Sequence, residues 1–140
     1  LLTGGADRIV RRWDASSGEH VGAIAGAGDD DELGPVREMR GAEIFKACAV
    51  CHTLRPDGAG RAGPSLYGLF GRKAGTLPGY VYSEAFRKLD IIWTEETVSR
   101  LFEIGPQAYT PGTKMPEQTV GNAQERQALM EFLRVASAPK

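Results

Sequence analysis

From Thr53 to Tyr82 the chain follows neither of the periods that build a protein core. The run GPSLYGLFGRKAGTLPGY, residues 63–80, is dense in Gly and Pro and has no sustained repeat of about 2 or 3.6 residues. Left alone, it would be a structureless loop too long for a compact domain. Yet it carries Leu66, Leu69, Phe70 and Tyr80, all of which need burial. Something large and apolar has to lie beneath it.

Just ahead of this stretch stand the only two cysteines, Cys48 and Cys51, with His52 directly after the second. A structural zinc site needs four N or S ligands. This chain has two Cys and two His in all, and His20 lies in a distant strand-like segment. A thioredoxin-type dithiol belongs in a βαβ context, whereas this pair sits in helical sequence. A plain disulfide has no use for the adjacent His. C-x-x-C-H is the pattern of covalent c-type haem attachment. Each thiol adds across one haem vinyl group, and the next residue turns its imidazole to the iron. A porphyrin supplies the core that the Gly/Pro stretch lacks.

Iron bound by one His keeps an open face. The candidates to close it are Met39, Met115, Met130, His20 and the lysines. Met39 leads straight into the cysteine pair and is poorly placed to reach the far side. Met130 sits inside the last helical segment, where packing explains it. Met115 lies in YTPGTKMPEQ, between Pro111–Gly112 and Pro116, on a rigid loop. It is the expected ligand, and a soft thioether favours ferrous iron and raises the potential. With both faces closed, the site is not expected to bind O₂ or turn over peroxide.

Composition sets the frame. A length of 140 residues with 41% hydrophobic and 25% charged residues suits a soluble globular domain. No apolar run reaches the ~18 residues of a membrane span, and a net charge of −1 gives no sign of nucleic-acid binding. The charge is uneven: three Arg against seven Asp and Glu in residues 1–34, fourteen Lys and Arg against eleven acids in 35–140. The acid is concentrated in GDDDEL, Gly28–Leu33, which reads as a solvated linker. Residues 28–35 therefore divide a front segment, 1–27, from a domain over 36–140. In front, Leu1–Leu2, Ile9–Trp13 and His20–Ile24 read as short strands. Behind, helical pattern begins at Pro35 and runs toward His52. Ser83 is expected to cap a short helix through Lys88. Thr94 caps EETVSRLFEIG with Gly105 as its stop, and Asn122 with Glu125 opens AQERQALMEFLRVAS. The fold class is all-α, three to four helices around a glycine-rich wrap.

With these residues in place, about Arg40–Ser137 resembles a class I cytochrome c of the mitochondrial and α-proteobacterial type. The resemblance rests on GAEIFKACAVCHTL, AGPSLYGLFGRKAGTLPGYVYSEA, IIWTEETVSRLF, YTPGTKMP and ERQALMEFL, in family order and spacing. It implies a fold wrapped around one covalent haem c, held through Cys48 and Cys51, and electron transfer between a redox donor and acceptor. It also implies that Pro64 offers its carbonyl to His52. Arg72, Tyr82 and Trp93 then hydrogen-bond the haem propionates, and Thr113 bonds at the haem's inner edge. Gly41, Phe45, Leu129 and Phe132 form the crossing of the first and last helices. Maturation of such proteins implies the periplasm or an equivalent space. Three features depart from the family: Phe86 stands where relatives carry Asn, LFEIGPQAY is one residue longer, and Leu101 or Phe102 replaces a Tyr near the Met ligand. The family's dense lysine ring is thin, with Lys46, Lys73, Lys88 and Lys114 remaining.

The front segment LLTGGADRIVRRWDASSGEHVGAI is similar to part of a WD-repeat β-propeller. A whole blade takes about 40–45 residues and several must stack. On that resemblance the chain, which starts at Leu1 without an export signal, is expected to be the C-terminal end of a larger protein. An upstream propeller is the expected partner in the same chain, giving an alternative role as relay or haem sensor of a propeller protein. Alone, residues 1–34 are expected to form a loose hairpin or stay disordered.

Overall fold

The computed structural model describes residues 1–4, 9–25, 33–57 and 61–140. The acidic stretch assigned to a linker, 28–32, lies outside them, as do residues 5–8, 26 and 27 of the expected blade remnant. The chain divides into two units, Leu1–Glu32 and Leu33–Lys140.

The first unit is a three-stranded antiparallel meander of β1 (Leu2–Gly4), β2 (Ile9–Trp13) and β3 (His20–Ala25), in that order. Leu2 faces Arg12 across β1 and β2, and Arg11 faces Ala23 across β2 and β3. The strands lie within two residues of those read from the sequence, but they form a paired sheet rather than a loose hairpin. Two devices hold it. Trp13 donates its indole N–H to Thr3 Oγ1 at 2.7 Å and sets its ring edge-on to His20, centroids 5.1 Å apart. At the β2–β3 turn, Asp14 accepts the amides of Ser16 and Ser17 at 2.8 and 3.0 Å. An Asx turn of this kind substitutes a side chain for the missing backbone partner.

The second unit opens three residues earlier than the expected Val36, because Leu33 is already buried in its core. A 3₁₀ turn, Gly34–Glu38, has Pro35 in its first positions. Met39 then becomes extended, with φ −67° and ψ 140°. The helix expected from Pro35 to His52 is therefore split: α1 (Arg40–Phe45) follows the break, and a second 3₁₀ turn spans Cys48–Val50. After the long wrap come α2 (Glu84–Arg87), α3 (Glu95–Ile104), α4 (Pro106–Tyr109) and α5 (Ala123–Ala136).

Crossing of α1 and α5 makes the centre of the core. Leu129 and Phe132 are fully buried, and the Phe45 and Phe132 rings lie 5.1 Å apart. Gly41 permits the approach: a Cβ there would overlap the Ala128 carbonyl oxygen and Phe132 Cβ. Arg40 bridges the same two helices to Glu125 at 2.9 Å.

The wrap is stitched by backbone bonds to distant segments. Gly71 N–H donates to Trp93 O at 2.8 Å, Trp93 N–H to Arg72 O at 2.9 Å, and Ala74 N–H to Ile91 O at 2.8 Å. Gly68 N–H reaches Ser137 O at 2.6 Å beyond α5. Among its described residues this segment thus finds distant partners for its peptide groups without helix or strand, and it closes over one side of a cavity.

Candidate functional site

The cavity has a volume of about 480 Å³, in the range of small-molecule and cofactor sites. All nine residues expected at the site line it: Cys48, Cys51 and His52, Pro64, Arg72 and Tyr82, Trp93, Thr113 and Met115. They come from separate parts of the chain, and the fold brings them together.

Both thiols are free, and they stand on the 3₁₀ turn that ends α1's extension. The turn is tight because Cys51 and His52 both donate their amides to Cys48 O, at 3.0 and 2.9 Å. Burial pushes the Cys48 thiol up to about 11, against a small opposing pull from its backbone bond.

His52 Nδ1 lies 2.7 Å from Pro64 O. A carbonyl only accepts, so Nδ1 carries the proton and Nε2 keeps its lone pair. That is the form in which an imidazole binds a metal. Burial lowers the His52 pKa, with the Pro64 bond acting against it, so the ring is held neutral. Gly63 completes the cradle. A Cβ there would stand 2.6 Å from His52 Cε1, and its amide donates to Cys51 O at 2.7 Å. Gly63 is not among the residues expected from the sequence, because its role depends on an imidazole eleven positions earlier in the chain.

Met115 reaches the cavity from the loop after α4. Thr113 Oγ1 accepts the Met115 amide at 3.1 Å, so the threonine shapes the loop itself. Upstream, Ser83 donates to Gly112 O at 2.7 Å.

Arg72 donates to Tyr67 O at 3.0 Å and to Ser65 O at 2.8 Å. Both acceptors are neutral carbonyls, and among the described residues no carboxylate pairs with this guanidinium. Burial lowers its pKa and raises that of neighbouring Tyr82, while each charge acts back on the other. A half-buried cation on a cavity wall without a counter-ion fits a ligand with anionic arms. Tyr82 stacks on Phe86 at 5.3 Å and meets Tyr80 edge-on at 4.7 Å. Buried Val98, Leu101 and Phe102 complete an apolar wall. Two thiols, an imidazole with a free Nε2, a thioether, a cation and hydrocarbon walls fit a covalent tetrapyrrole with vinyl and propionate arms.

Comparison with known proteins decides the family. The family model for cytochrome c matches residues 38–137. The chain belongs to the cytochrome c family. It is 40% identical to cytochrome c of Sesamum indicum over 109 residues, 77% of this chain and 97% of that one. Cytochrome c of Gibberella zeae is 41% identical over 96 residues, 68% of this chain and 90% of its own length. Cytochrome c2 of Blastochloris viridis is 41% identical over 98 residues, 70% and 76% of the two chains. This cytochrome c domain therefore carries one haem c covalently, through Cys48 and Cys51, and transfers electrons by means of it. The family consists of electron carriers. Among the described residues no helix is long and apolar enough to cross a membrane.

Proposed function

We propose that His52 and Met115 are the two axial ligands of this haem. The carrying observation is that both line one cavity while Pro64 holds His52 in the metal-binding tautomer, 2.7 Å from Nδ1. Bound haem supplies a one-electron Fe(III)/Fe(II) couple. Pro64 fixes the ring and raises its basicity. Met115 contributes a soft sulfur that favours the ferrous state. Arg72, Tyr82 and Trp93 bind the propionates, and among the described residues Arg72 has no carboxylate partner, which supports that role. Thr113 shapes the Met115 loop. The chain's work is thus to hold ligands still while charge changes by one unit.

Donor and acceptor are redox proteins that meet the cytochrome domain at its surface. Electrostatic steering toward them is weak. Lys46, Lys73 and Lys88 already pair with Glu43, Asp90 and Glu84, at 2.9, 2.8 and 2.7 Å. We place the domain in the periplasm or an equivalent space, where thiols reduced during maturation receive haem. Residues 1–27 read as part of a WD-repeat blade. The antiparallel β1-β2-β3 order is the strand pairing that part of such a blade requires. Upstream coding sequence without further repeats of that kind would remove it.

Met115→Ala tests the ligand assignment. The variant is expected to have a markedly lower reduction potential and to bind CO as the ferrous form. Ready CO binding by the unaltered protein would overturn the closed, six-coordinate reading.

A further inference from the structure

On both sides of Met115 the chain is tied down, but unequally. Upstream, Thr110 Oγ1 donates to Pro106 O at 2.8 Å, Thr113 N–H to Thr110 O at 3.1 Å and Ser83 to Gly112 O at 2.7 Å. Downstream, the next firm anchor is Val120, whose amide donates to Phe102 O at 2.8 Å. Arg126 donates to Val120 O and to Gly121 O, both at 2.8 Å. Between these anchors, among the described residues, both non-local hydrogen bonds to residues 115–119 run to a single residue, Gln107. Its side-chain amide donates to Met115 O at 3.4 Å, and its backbone N–H donates to Glu117 Oε2 at 3.2 Å.

The fold has made room for this. Gly105 has φ +93°, a conformation glycine adopts freely and other residues do not. A Cβ at that position would overlap Glu117 Oε1. The carboxylate therefore lies directly over the turn that begins α4, with Gly105 and Pro106 both buried beneath it.

We propose that Glu117 and Gln107 form a clamp that positions Met115 as the axial ligand and slows its displacement. The proposal rests on Met115 being that ligand. Glu117 stands on the lining of the same cavity, but in this role it is a positioning residue that acts through Gln107 and the Met115 segment. Its oxygen fixes the chain two residues beyond the sulfur-bearing residue, and Gln107 fixes the carbonyl of that residue itself. Loss of the clamp lets the 115–119 segment swing out, which lowers the cost of exchanging the thioether for an external ligand.

The test uses the full haem-loaded chain and two readouts, CO affinity of the ferrous form and reduction potential. Glu117→Ala should raise CO affinity roughly three- to tenfold, the scale expected for one ordinary hydrogen bond, and lower the potential. Glu117→Gln keeps an acceptor oxygen and should return both readouts to the wild-type values. If Glu117→Gln behaves as Glu117→Ala does, the charge rather than the hydrogen bond acts, and the clamp is wrong. If Met115→Ala opens the iron to CO but Glu117→Ala changes nothing, the clamp fails and the ligand assignment stands. If Met115→Ala itself leaves CO binding and potential unmoved, the ligand assignment fails, and the clamp with it.

Discussion

Asp14 gathers three donors on one oxygen: the Ser16 amide at 2.8 Å, the Ser16 hydroxyl at 2.5 Å and the Ser17 amide at 3.0 Å. These bonds exist fully only with the carboxylate ionised, and the Ser16 hydroxyl contributes most. They lower its pKa from 3.8 to about 2. A depressed carboxylate pKa stabilises the folded form above the unfolded value and loses that contribution as pH falls through the folded one. The β2–β3 turn should thus keep its order down to about pH 3.8 and lose it toward about pH 2. Carbon NMR of the Asp14 carboxyl should show a midpoint near 2, with the Ser16 and Ser17 amides becoming exchange-labile together. A midpoint near 3.8 would mean that the turn does not depend on this oxygen. The contrast with His52 is instructive. Asp14's role was visible locally, as Asp followed by Ser16, Ser17 and Gly18. That of Gly63 depends on an imidazole eleven positions earlier in the chain, and no local pattern records it.

Among the elements, caps were the easiest to foresee, because a cap is satisfied by side chains within three residues. Ser83 accepts the Phe86 amide, Thr94 the Thr97 amide, and Asn122 the amides of Gln124 and Glu125. Even there, long-range chemistry intervened. Glu125 extends to Arg40 on α1, and the reciprocal bond at Thr94 comes from Thr97. The break at Met39 and the four-residue helix α4 were not legible. Met39 stands three residues from both Val36 and Ala42, a helical spacing that hides the break, and α4 is too short to show a period.

 Met39, with ψ 140°, closes the 3₁₀ turn and precedes α1, so the break falls where two elements meet.

The α1–α5 crossing shows two effects competing at one residue. In an exposed helix, replacing Gly by Ala gains about 1 kcal/mol of propensity. At Gly41 the added methyl would overlap the Ala128 carbonyl and Phe132 Cβ, both held in a fully packed helix pair. Overpacking of this kind costs about 1–3 kcal/mol, so packing should outweigh propensity. Gly41→Ala is expected to be net destabilising in urea unfolding of the haem-loaded protein, with an unchanged m-value. A variant as stable as wild type would show that the two helices can separate without cost.

At the scale of the whole molecule, the cofactor completes the helical unit's core. The cavity of about 480 Å³ is lined by residues that the wrap, α3 and the Met115 loop contribute together. The cleft is partly open, so without a cofactor water would stand against walls that are mostly hydrocarbon, and that apolar surface would lose its burial. Among its described residues the wrap has no helix or strand to compensate; its backbone bonds to Ile91, Trp93 and Ser137 form only if those segments stay in place. Cys48→Ser combined with Cys51→Ser, produced without added haem, should therefore leave residues 53–82 without hydrogen-exchange protection. The β1-β2-β3 sheet, held by its own Asp14 and Trp13 bonds, should keep its protection in the same sample, which serves as an internal control. A haem-free double variant with 53–82 fully protected would show that protein side chains alone can fill the space, and the cofactor would no longer be needed to explain why so glycine-rich a segment folds.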